Sequence, residues 1–174
     1  MKFSSIIAKY IAPGVYGATD GIVTTFAVIG GVYGANLSPA IVLILGMSNV
    51  FADGFSMAAS NYLSKRSERK GDASAETEGG LSALSSSLAT FIAFIVVGML
   101  PMLPFIFALF IEMGHGTQFV WSIVSTFSAF ALLGIVRGRV IGKNMWMTAF
   151  ETLVVGGIAA AIAYGVGLAL KGLA

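Results

Sequence analysis

Two aspartates stand inside apolar stretches of this chain, Asp20 in TDGIVTTFAVIGG and Asp53 in FADGFSMAAS. A carboxylate at bilayer depth is costly unless it lines a wet path or binds a cation, so intramembrane acids are functional candidates. Around the second one, Asn49, Asp53, Met57 and Asn61 recur every four residues, with Ser56 and Ser60 beside them. That spacing puts amide, carboxylate and thioether on one helical stripe. Oxygen donors satisfy hard divalent ions, whereas the polarisable thioether of Met57 favours a softer transition metal. The same spacing also fits a polar helix–helix contact in which Asp53 is neutral and hydrogen-bonded. Met57 is one of 8 methionines, most of which serve as packing residues.

The solvent implied by the composition is a bilayer. Of 174 residues 57% are hydrophobic and 10% charged, against roughly 25% charged in a soluble domain. Mean hydropathy is +0.91, and several apolar runs approach the ~20 residues that cross a membrane. A soluble enzyme, a nucleic-acid-binding domain and a disordered chain are thereby excluded. With no Cys and one His, disulfides, thiolate zinc sites, Fe–S clusters and imidazole-rich metal sites are excluded too. An embedded lipid-headgroup transferase would need further Asp residues and an Arg after Asp20-Gly21, and residues 21–38 supply neither. A hydrolase would need a partner for His115. The expectation is therefore a protein that is not an enzyme.

The hydropathy pattern predicts an all-α membrane protein, a single five-helix domain over 1–174, with spans at 13–35, 38–63, 84–112, 117–136 and 146–170 and a short linker at 64–83. Starting the first helix near Pro13, a good first-turn residue, makes it long enough and puts Asp20 inside. The competing reading keeps Asp20 as an N-cap and runs the helix past Asn36, towards Pro39. Lys9 breaks the segment after Ile6-Ile7, unlike a signal peptide, so the first span is expected to be retained. Five spans put Lys2, Lys9, Lys65, Arg66, Arg69, Lys70, Arg137, Arg139 and Lys143 on one face and only Lys171 on the other. By the positive-inside rule the amino terminus is cytoplasmic and the carboxyl terminus outside.

Small residues suggest how the helices meet. Gly17 with Gly21, and Gly30 with Gly34, are GxxxG pairs in the first span, and Gly157, Ala161 and Gly165 repeat the pattern in the fifth. Such faces support tight packing or a homodimer alike. Five helices can hardly enclose a pore, but an Asp20 face meeting its own copy across a two-fold axis would line a shared path with paired carboxylates. Pro101 and Pro104 should break or kink the third span, as a hinge or as a static bend. Glu112 and His115 at the outer mouth, and Glu151 within reach of Arg137 or Arg139, read as structural.

The stretch YGATDGIVTTFAVIGG (16–31), Gly34-Ala35, and ADGFSMAASNYLS (52–64) together resemble the vacuolar iron transporter family. LPMLP (100–104) and the Gly/Ala-rich last helix extend the likeness over nearly the whole chain. The resemblance implies a homodimer of five-helix subunits, with the transport path at the interface, that moves Fe²⁺, and often Mn²⁺, out of the cytoplasm in exchange for protons. It implies transport-path ligands at Asp20 and Met57. A Glu of some members falls on Asn49, and Asp53 takes a place that is small and uncharged in others. The expected metal site is thus Asp20, Asn49, Asp53 and Met57. The metal is substrate rather than resident cofactor, the proton is counter-ion, and the partners are a second copy and the bilayer, without nucleic acid. The membrane would be the plasma (inner) membrane of a prokaryote or the vacuolar membrane of a eukaryote. One departure is large: members with a long insertion between helices two and three carry a Glu-rich metal-collecting domain, and here about 20 residues separate Leu63 from Leu84. Glu68, Asp72, Glu76 and Glu78 can attract cations but cannot build that domain. Fe²⁺, Mn²⁺, Co²⁺ and Zn²⁺ all stay open as substrates. A passive divalent-cation channel and a non-transporting scaffold are the alternatives.

Overall fold

The computed structural model describes residues 11–67 and 76–173. Lys2, Lys9, Glu68, Arg69, Lys70 and Asp72 lie outside the described residues, as do the side chains of Glu76 and Glu78. Five helical spans are long and apolar enough to cross a membrane, which makes this a multi-pass integral membrane protein. They are α1 (Ala12–Gly34), α2 (Pro39–Ser67), a broken third span, α5 (His115–Ile141) and α6 (Met145–Leu170). The third span consists of α3 (Glu76–Gly98), a 3-10 turn (Leu100–Met102) and the short α4 (Leu103–Phe107). Large apolar side chains such as Ile44, Phe55, Ile92, Leu132 and Ile162 are exposed on the outside of the bundle, as lipid-facing residues must be.

The helix ends follow from local chemistry. With Pro13 in its first turn, where a missing N–H costs nothing, α1 runs from Ala12 and encloses Asp20. It ends in a Schellman motif: Leu37 N–H donates to the Val32 carbonyl and Asn36 N–H to that of Tyr33, both at 3.0 Å. Asn36 holds the left-handed conformation this requires, φ 60°, which Asn tolerates better than most residues. At the far side Gly142 ends α5 at φ 67°, and the Asn144 side chain caps α6 by accepting from Trp146 and Met147 N–H.

α1 is the centre of the bundle because its glycines let two other backbones close on it. A Cβ added to Gly17 would lie 2.5 Å from the Thr90 carbonyl oxygen, and one on Gly21 would lie 2.6 Å from that of Phe94. Towards its other end a Cβ added to Gly34 would lie 2.5 Å from the Tyr164 carbonyl oxygen of α6, and one on Gly167 of α6 would collide with the Gly31 carbonyl. The two GxxxG pairs are therefore spent on α3 and α6 within the subunit. In contrast, a Cβ added to Gly157 or Gly165 would meet nothing within 4 Å beyond its own turn of helix among the described residues. Beside this axis Phe26, Ile29, Val42, Val50, Phe94, Met102 and Phe105 form the main apolar core, and Ile22, Ala129 and Phe130 a second one.

The break in the third span is pinned. Pro104 and Pro101 lack N–H groups, so the carbonyls a turn before them lose helical partners. From α5, Ser122 Oγ donates to the Pro101 carbonyl at 2.7 Å and Ser125 Oγ to that of Leu100 at 3.2 Å. Ser122 is fully buried, so neither water nor lipid can take its place. Two interhelical hydrogen bonds thus hold the bend in this structure. Ser122→Ala should cost about 1–3 kcal/mol by orphaning a buried carbonyl, whereas Asn36→Gly should stay within a few tenths. Thermal unfolding in detergent micelles measures both, and an unchanged midpoint for Ser122→Ala would mean that another donor serves Pro101.

Candidate functional site

Burying Gly21 against α3 fixes the rotation of α1, and the residue before it points about 100° away around the helix. Asp20 is accordingly half-buried beside that contact, and the Thr24 hydroxyl donates to its backbone carbonyl at 2.9 Å. On α2 the buried stripe Val42, Gly46, Val50 and Gly54 packs inward, with Gly46 against Met102 and Gly54 against Phe91 and Phe94. The half-buried Asn49, Asp53 and Met57 flank that stripe. Ser48, Ala52, Ser56 and Ser60 lie next to them and are exposed.

The hairpin brings the two aspartates to one level. Asp20 is fourteen residues before the end of α1 at Gly34, and Asp53 is fourteen residues after the start of α2 at Pro39. Each is thus about 21 Å along its helix from the connecting turn, well inside the apolar slab. The two carboxylates lie within electrostatic range of each other. Neither carboxylate has a hydrogen-bond or ion-pair partner among the described residues. Asn49 adds a third unsatisfied group, since its Nδ2 is buried without a partner. Among the described residues no three His, Cys, Asp or Glu side chains come together. A cation held here by one subunit would therefore draw on two carboxylates, the Asn49 amide oxygen and the Met57 sulfur.

The fourth member of the sequence stripe goes elsewhere. Asn61 Nδ2 donates to Thr90 Oγ1 of α3 at 3.0 Å and lies 3.5 Å from Ser86 Oγ. The sequence reading passed over Ser86 and Thr90, although Ser82, Ser86 and Thr90 recur every four residues. Glu151 pairs with Arg137 at 3.8 Å with both side chains nearly half exposed, a contact of little energetic weight. His115, at the opposite end of the bundle, lines a cleft of about 270 Å³ with Tyr33, Asn36, Tyr164 and Lys171.

Residues 11–78 and 71–168 match the model of the VIT family. The chain belongs to that family. Vacuolar iron transporter 2 of Oryza sativa subsp. japonica is 25% identical to this VIT-family chain over 217 residues, spanning 91% of this chain and 87% of that protein. The vacuolar iron transporter of Toxoplasma gondii is 26% identical over 228 residues, spanning 94% and 75%. A shorter stretch of 54 residues is 44% identical to the vacuolar iron transporter of Plasmodium berghei, covering 31% of this chain and 20% of that protein. These relatives are transporters, and the protein is not an enzyme. Both long alignments exceed the 174 residues of this chain, so the relatives hold extra residues inside the matched span. The family match itself divides at 71–78, between the body of α2 and that of α3.

An unsatisfied buried amide costs stability that an apolar side chain of similar size does not. Asn49→Leu should therefore stabilise the fold by about 1 kcal/mol, read as a raised unfolding midpoint, while weakening any metal-dependent stabilisation. Unfolding followed with and without Mn²⁺ separates the two effects, and a destabilised Asn49→Leu would show that its amide has a protein partner.

Proposed function

We propose that this protein is a proton-coupled antiporter that exports Fe²⁺, and Mn²⁺ as a second substrate, from the cytoplasm. The observation that carries the reading is the pair Asp20 and Asp53, level with each other at bilayer depth, electrostatically coupled and unpartnered. Membership of the VIT family, whose relatives are named iron transporters, supplies the substrate class. In this mechanism a hydrated divalent metal arrives from the basic end of the bundle and exchanges waters for Asp20, Asp53, the Asn49 oxygen and the Met57 sulfur. Carboxylate and amide oxygens hold the ion, and the thioether favours a transition metal over Mg²⁺ or Ca²⁺. It leaves outward as the carboxylates take up protons. Metal and proton cannot occupy the same oxygens together, and this competition couples their opposite flows.

The active unit in this reading is a homodimer with the path between subunits. One subunit offers too few ligands for a closed site, and the exposed small and polar face of α2, Ser48, Ala52, Ser56 and Ser60, borders the aspartate pair where a second copy would cover it. In this reading the amino terminus faces the cytoplasm, which the excess of Lys and Arg at the end that holds Lys65, Arg66, Arg137, Arg139 and Lys143 supports.

Proteoliposomes with an imposed pH gradient test this directly, by following Fe²⁺ and Mn²⁺ uptake together with internal pH. Uptake should be tied to counterflow of protons, be abolished by Asp20→Asn and fall about tenfold or more in Met57→Ala. Metal flux indifferent to the pH gradient would make the protein a channel, and absence of flux for every divalent metal would make it a scaffold.

A further inference from the structure

The ends of α1, α2 and α3 on the basic side meet in a polar cluster that the exchange of metal for protons leaves without a role. Asn61 and Lys65 reach it from successive turns of α2, Ser86 and Thr90 from α3, and the Pro13 carbonyl from the first turn of α1. Lys65 Nζ donates to Ser86 Oγ, and Asn61 Nδ2 to Thr90 Oγ1. The Thr90 hydroxyl proton is shared between the Ser86 carbonyl at 3.2 Å and the Pro13 carbonyl at 3.4 Å. Ser86 and Thr90 are both fully buried, and Lys65 is half-buried.

The cluster has the chemistry of a cation site that already holds a cation. Two hydroxyls, two backbone carbonyls and the Asn61 amide oxygen are neutral oxygen donors of the kind that replace water around a passing ion. Lys65 is an ammonium with three donors and no acceptor, on a flexible stem, and among the described residues its partner is a neutral hydroxyl rather than a carboxylate. On α2 it stands three turns from Asp53 and two from Met57, about 18 Å from Asp53 along the helix axis towards the basic end. This is the side from which the metal is to arrive. A fixed positive charge at the mouth of a low-dielectric path repels a dication strongly, and does so without touching the ligands deeper in.

We propose that Lys65 is a tethered cation that guards the mouth of the metal path, so that a divalent ion must displace it or pass it to reach Asp20 and Asp53. It thereby sets the metal concentration at which export begins. Ser86 is the positioning residue that keeps the ammonium at the mouth. This inference rests on the reading of the two aspartates as transport ligands.

The test is initial Mn²⁺ uptake against Mn²⁺ concentration in proteoliposomes, for the wild type, Lys65→Met, Lys65→Arg, Ser86→Ala and Asp20→Asn. Lys65→Met should lower the apparent KM about three- to tenfold with the maximal rate unchanged within about twofold. Lys65→Arg should restore the wild-type KM, and Ser86→Ala should lower it by a smaller factor. Added salt should reduce the KM of the wild type more than that of Lys65→Met, because the repulsion that it screens is gone in the variant. An unmoved KM in both Lys65→Met and Ser86→Ala overturns the proposal, as does an equal change in Lys65→Met and Lys65→Arg, which would be a packing effect. If Lys65→Met does not yield folded protein, Ser86→Ala and its salt dependence carry the same decision. Asp20→Asn separates the two levels: uptake surviving it overturns the transport reading along with this one, while uptake lost there with KM unmoved in the Lys65 variants overturns the lysine alone.

Discussion

The close approach of α1 to α3 is the constraint on which the bundle depends. Helices in lipid gain nothing from leaving water, so their association rests on van der Waals contact and on hydrogen bonds between them. At Gly21 there is no room for a methyl group, and an added Cβ on Gly98 would lie 3.0 Å from the Gly21 carbonyl oxygen. This contact, repeated at Gly17 and answered by α6 at Gly34, holds α1 in the middle with a single rotation. The orientation of Asp20 follows from it, because the neighbouring Gly21 is committed to α3. The level of Asp53 follows in turn from the short Asn36 turn, which sets the register of α2 against α1.

The molecule is strict about polar groups in one region and lax in another. At the proline break the Pro101 carbonyl accepts from Ser122 and the Leu100 carbonyl from Ser125, and Thr148 Oγ1 donates to the Gly134 carbonyl where α5 and α6 close on each other. Between α1 and α2 the two carboxylates and the Asn49 Nδ2 have no hydrogen-bond partner among the described residues, and the buried Thr25 hydroxyl of α1 is likewise unmet. In a medium without water such groups are expensive, and a pair of carboxylates is the most expensive of them. Local violations of this kind are expected at functional sites.

Much of this was legible in the residues, and the gaps have physical causes. Runs of apolar residues announce helices at bilayer depth, and the two prolines announce a break, because both signals are local. The partners of the break were not legible, since Ser122 and Ser125 look like ordinary small residues in an apolar span until α5 is seen against it. The stripe Asn49, Asp53, Met57 and Asn61 does not keep to one neighbour along its length. Positions four apart advance about 40° around a helix at each step, so over two steps from Asp53 the stripe has turned far enough for Asn61 to face α3 and find Thr90. Glycine spacing marked the faces of close contact, but which helix each would meet depends on topology. The pairs around Asp20 proved to serve the subunit's own interior, while the similar face of α6 is left open.

The central place of α1 also bears on how the protein is made. The glycine faces of α1 are completed by α3, and then by Tyr164 and Leu168 of α6, all of which are synthesised well after it. Contacts so distant in sequence form late, and until they form α1 presents an open groove with an unpaired carboxylate to whatever surrounds the nascent chain. The α1–α2 hairpin can insert as a unit, because its turn is closed locally by Val32, Tyr33, Asn36 and Leu37. Its two aspartates are then level before the bundle exists, and the remaining helices assemble around a hairpin already in register.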